Sequence, residues 1–153
     1  MPEPLTWQVL EFVKAMVQQV TVANGFHTDL GAGVVTLEGD QVPDDSEAPH
    51  TLIVATEIPV TTAGPRTLKS DMDITIEFSV PFAVQESAER LAHRARADLV
   101  RVLRDDFRNG PVGLNTLELT GARIGQPEDG AAVVVAQVTA RAGLTETKPP
   151  AIR

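Results

Sequence analysis

The chain has no cysteine, a single tryptophan and only 4% aromatic residues. Without cysteine there is neither a disulfide framework nor a thiolate metal site, so the fold must be held by packing. No apolar run approaches the roughly 20 residues that span a bilayer. The N-terminus, MPEPLTWQVLEF, has no basic stretch ahead of an apolar one, so a soluble protein made in a cytoplasm, with no membrane partner, is expected. Bases are scarce too: 13 Lys and Arg stand against 21 Asp and Glu, a net charge of −8. A protein that coats nucleic acid or anionic membrane has the opposite balance, so protein partners are expected. Gly-x-Ser-x-Gly, phosphate-loop and dinucleotide patterns are missing, and the glycines of GAGVV lead into a strand rather than a helix. No cofactor and no catalytic residues are expected.

What is present reads as one domain, since 153 residues suffice to bury about two thirds of the unfolded surface. Trp7, Leu10, Val13, Val17 and Val20 recur at helical spacing and predict an amphipathic helix from Leu5 to Val22, capped by Thr6, with Trp7 in the core. ANGFHTDLGAG breaks that period and leads to a short strand, Val34 to Leu37. Glu38 to His50 is acidic, contains two prolines and has almost nothing apolar, which predicts a mobile loop. TLIVATEI reads as a buried strand that ends at Pro59 or runs along an edge. TTAGPRTLK is a hairpin connection into a long alternating strand, SDMDITIEFSVPFA.

After Pro81 the period becomes helical, from Val84 to Phe107, and Gly110, Pro111 and Gly113 end the helix. Strands follow at about Leu114 to Ile124, with a bulge near Gly121, and Ala131 to Ala142, joined by a turn at Asp129-Gly130. The expected fold is α+β: a mostly antiparallel sheet of about five strands with two α-helices packed on one face. Residues 1–143 form the domain and 144–153 a flexible tail.

Candidate sites are few. His27, His50 and His93 lie in no repeated ligand spacing and read as ordinary surface histidines. His27 with Asp29 remains the one pair that an enzyme or metal-binding reading would use. Asp44, Asp45 and Glu47 lack the ligand spacing and the glycine of a calcium loop. On the second helix, at 100° per residue, Arg90, Arg94, Arg101, Arg104 and Arg108 fall within about 40° of one line, opposite Leu91, Ala95, Leu99 and Val102. The segment through Arg108 carries six of the chain's bases and five of its acids, leaving seven and sixteen elsewhere. Two readings stay open for the stripe: a solvated face with local pairs, or an interface in which arginine forks meet carboxylates near Asp44, Asp45 and Glu47 of a second copy. In the long strand, Asp71, Asp73 and Glu77 share one side with no base among them.

The order of elements, the segments VTVANGFHTDLGAGV and APHTLIV, and the long charged helix resemble the tail terminator proteins of long-tailed bacteriophages and prophages. The resemblance spans nearly the whole chain. It implies a structural virion protein at the head-proximal end of the tail, a homo-oligomeric ring that is a hexamer in the family. Such a ring caps the tail tube protein, ends tube growth and docks to the head-neck connector, while DNA passes through without specific binding. In that setting Asp71, Asp73 and Glu77 would face the lumen and repel phosphate; two other readings of this face stay open, a plain solvated surface and a contact with the arginines of a neighbouring copy. Two alternatives remain: a neck or head-completion ring protein, and a small ligand-binding or enzymatic α+β domain. The acidic loop and the TTAGPRTLK connection are expected to gain structure only when rings stack.

Overall fold

The computed structural model describes residues 3–37, 49–81, 87–104, 109–125 and 133–147. Leu5, Val9, Val13, Met16 and Val17, at steps of three and four, form the buried stripe of helix α1 (Leu5–Gln18). That stripe is rotated from the expected one. Trp7 and Leu10 sit half-buried at its edge, and the Trp7 indole N–H donates to Glu11 Oε1 at 2.9 Å, so Trp7 is not a core residue. The helix is preceded by Pro4, without a side-chain cap; Thr6 lies inside the first turn rather than at the cap. The helix also stops before Val22, and a 3-10 turn at Val22–Asn24 follows, capped by Thr21, whose hydroxyl accepts from the Asn24 N–H.

The rest of the chain forms strands β1 (Val34–Leu37), β2 (His50–Glu57), β3 (Val60–Ala63) and β4 (Thr67–Pro81), helix α2 (Ala88–Arg104), and strands β5 (Leu114–Gly125) and β6 (Val133–Thr147). The sheet has six strands in the order β1-β2-β4-β6-β5, with β3 also on β4. Only β1 and β2 run parallel; the other pairings are antiparallel. This is the expected α+β class. β2 does end before Pro59, but it lies between β1 and β4 and is not an edge strand.

Both helices lie on one face. α1 covers β1 and β2, and α2 covers β4, β5 and β6. Met72, Ile74, Ile76, Phe78 and Val80 of β4 all point into the core, as their alternation requires. Three of their register partners on β6 are alanines, Met72 facing Ala142, Ile74 facing Ala140 and Phe78 facing Ala136, while Ile76 and Val80 face Val138 and Val134. Ala88, Ala92 and Ala95 line the buried side of α2, so large residues of the central strand meet small ones on the strand and helix beside it. A register shift between Leu119 and Gly121 forms the bulge expected near Gly121. It adds one residue, which returns Ala122 and Ile124 to the face that Leu117 and Leu119 occupy.

Two glycines are required by contact. A Cβ on Gly31 would stand 2.5 Å from the Val17 carbonyl oxygen and 2.7 Å from that of Gln18; the loop therefore seats its backbone directly on the end of α1. Gly113 has φ of +104°, and its Cβ would lie 2.6 Å from Thr145 O.

Two further expectations change. The hairpin expected at TTAGPRTLK is present, but β3 and the start of β4 pair by hydrogen bonds within the single chain and not only when rings stack. β6 runs to Thr147, past the expected domain end at 143, and Leu144 is buried. The acidic loop, the ends of the second helix and the Asp129-Gly130 turn lie outside the described residues.

Candidate assembly surfaces

The arginine stripe divides into two chemistries. Arg90, Arg94 and Arg104 are exposed on α2 and make no ion pair among the described residues. Arg101 is engaged within the chain: its Nη1 donates to Gly25 O at 2.7 Å, and its guanidinium lies 4.6 Å from the Phe26 ring centroid. Planarity suits arginine for this double task, stacking through one face and donating at the edge. Beside Arg101 and Arg104 runs a shallow cleft of about 510 Å³, lined also by Arg96, Ala97 and Val100. Arg108, and the expected complement Asp44, Asp45 and Glu47, lie outside the described residues.

Beside Arg101 stands a residue that the sequence reading passed over. Asp98 is 1% exposed. One of its oxygens accepts from the His27 N–H at 2.9 Å, and the other from the Thr28 N–H at 2.8 Å and the Thr28 hydroxyl at 2.7 Å. A buried carboxylate is tolerated when several donors converge on it. Asp98 and Arg101, one turn apart, therefore hold the loop Gly25–Thr28 against α2. The legible signal was a carboxylate beside Leu99 on the apolar flank of an otherwise well-patterned helix.

The residues on either side of this loop also bond locally. Asp29 Oδ1 accepts from the Val22 N–H at 2.8 Å, and Asn24 Nδ2 donates to Gln19 O at 2.8 Å. His27 and Asp29 thus serve separate partners through backbone and side chain, and the described residues contain no cluster of three metal-ligating side chains. His50 is half-buried, with its Nε2 2.7 Å from the Thr36 hydroxyl across the β1–β2 pair. His93 is exposed, 4.0 Å from Glu89.

On the sheet face away from the helices, Asp71, Asp73 and Glu77 project from β4, and Asp73 and Glu77 find partners on the neighbouring strands. Arg141 Nε donates to Asp73 at 2.9 Å. Gln137 donates to Glu77 at 3.4 Å and accepts from Arg123 Nε at 2.7 Å. Asp71 stands opposite Gly143.

At one end of the sheet, residues 58–67 are all exposed. They form an arm whose base carries Ile58, 45% exposed, and Val60, 59% exposed. Single exposed aliphatic residues are ordinary, but two within three residues on a projecting hairpin are a patch.

No protein-family model matches this sequence, and no curated protein matches it. The fold itself is shared. A chain from the structure titled "Virion of native gene transfer agent (GTA) particle" aligns with a TM-score of 0.59 and 17% identity, over 90% of this chain and 97% of that one. At that identity the likeness establishes a common fold. A second solved chain aligns at a TM-score of 0.44 and 16% identity, over 93% of this chain and 97% of its own, too distant to carry argument.

Proposed function

We propose that this chain is a structural protein of a virion and acts as a tail terminator, a ring of copies that caps the tail tube and docks to the head-neck connector. The observation that carries this reading is the fold held in common with a virion chain over nearly the full length of both proteins. The distribution of surface chemistry agrees with an assembling subunit. The exposed Arg90, Arg94 and Arg104 lie on a chain of net charge −8, and the arm displays aliphatic side chains. Two different surfaces of one chain that complement each other produce heterologous contacts, which close into rings when the rotation allows.

In this reading the arginines meet acidic residues of a neighbouring copy, among them Asp44, Asp45 and Glu47. The outer sheet face lines the passage for DNA. Arg141 and Arg123 offset part of the charge of Asp71, Asp73 and Glu77 there, so the face repels phosphate less strongly than three bare carboxylates would. The test is addition of the purified protein to polymerising tail tubes. A terminator shortens the tubes and is seen at one end by negative-stain imaging. Binding to head-derived connectors with no effect on tubes would make it a neck protein, and indifference to both would reject the virion reading.

A further inference from the structure

We propose that the β3–β4 arm of one copy docks in an apolar pocket at the opposite end of the next copy, with Ile58 and Val60 as the inserted side chains. This rests on the ring reading above and specifies the contact that builds the ring. The pocket has a volume of about 310 Å³, and its walls include Leu30, Val34, Pro49, Phe78 and Leu91, with Asp29 among the lining residues. It opens where the loop after α1, the start of β1 and the first turn of α2 meet the far end of β4.

Three observations join the arm to this pocket. The first is separation. The arm leaves β4 near Ser70, whereas Phe78 lies eight residues along the same strand, roughly 26 Å away at about 3.3 Å per residue. A chain cannot fill its own pocket with its own arm, so the fit is between copies and is heterologous.

The second is matching polarity. Val22, Ile58, Val60 and Val112 are the exposed large aliphatic residues among those described, and two of the four sit on the arm. An apolar concavity of this size takes one or two branched aliphatic side chains, and their burial drives association.

The third is charge. From Ile58 to Lys69 the sequence has two bases, Arg66 and Lys69, and no acid. Asp29 is the one charged residue among those that line the pocket. A basic, aliphatic arm facing an apolar pocket with a carboxylate in its wall is complementary in both respects, and the charges select the orientation of docking.

The absence of native cysteine allows a clean test. Val60→Cys protein is mixed with Leu91→Cys protein and oxidised with diamide, while the mass of the unmodified protein is measured by light scattering under the same conditions. A Val60→Cys and Val112→Cys mixture is the control; Val112 is 99% exposed and lies outside the pocket. The expected result is a reducible heterodimer from the first pair at least fivefold above the control, together with loss of the large species in Val60→Asp protein. Assembly without the 60–91 crosslink, or equal crosslinking in both mixtures, overturns the arm contact and leaves the ring intact. A monomer that neither crosslinks nor caps tubes overturns both.

Discussion

At the residue scale the most consequential group is Asp98, because it serves three donors from a position that water does not reach. Removing it leaves the His27 and Thr28 N–H groups without an acceptor inside the protein, and hydrogen bonds to a charged group are worth about 1.5–3 kcal/mol each before relaxation. Asp98→Ala is expected to destabilise the fold by about 3 kcal/mol, read as a fall of roughly 6–12 °C in melting temperature for a domain of this size. Asp98→Asn keeps one acceptor and should lose about half as much. Equal stability of the wild type and both variants would show that the loop is held by other contacts. Arg101 belongs to the same clamp. Its side chain was readable as part of a stripe, but its partners, Gly25 O and Phe26, lie more than 70 residues away in sequence, beyond what periodicity on one helix reveals.

At the element scale, the C-terminal end of β6 separates the structure from the expectation that the domain closes at 143. Leu144 is 2% exposed, and Leu144–Thr147 pair with Ser70–Thr67 at the root of the arm. Deleting residues 144–153 should therefore cost about 3 kcal/mol or more, since a buried leucine alone contributes about 2–5 kcal/mol, whereas deleting 148–153 should stay within about 0.5 kcal/mol. Urea denaturation of the two truncations decides it, and a similar midpoint for both would restore the boundary at 143. The strands with strict alternation, such as Met72 to Val80, were legible because a period of two has one solution. β3 was not, since four exposed residues after a proline carry no apolar pattern. The rotation of α1 was missed because Trp7 and Leu10 satisfy helical spacing as well as Leu5 and Val9 do, and only the sheet beneath decides which stripe is buried. The partners of Asp73 and Glu77 could not be read along β4, because Arg141 and Gln137 stand on β6 and Arg123 on β5, at positions fixed by register rather than by spacing.

At the scale of the whole molecule, the fold and the surfaces lead to different kinds of evidence. A mostly antiparallel sheet under two helices serves many functions, so assembly must be argued from what the surfaces can hold. Two forces are available, and salt distinguishes them. Contacts between arginine and carboxylate weaken as the Debye length shrinks from about 10 Å at 0.1 M salt to about 3 Å at 1 M, while burial of Ile58 and Val60 does not. Arg94 is the proper residue on which to separate these terms, since it is exposed and makes no ion pair among the described residues; reversing Arg101 would also release the loop at Gly25. Arg94→Glu is expected to leave the melting temperature within about 2 °C, as surface changes do. The same variant should lower the mass of the assembled species at 50 mM salt and flatten its dependence on salt. Measured by light scattering across concentration at both ionic strengths, an unchanged mass and salt dependence would remove the arginine face from the contact and leave the arm to build the ring. A drop in mass together with a large fall in melting temperature would instead make Arg94 a structural residue like Arg101.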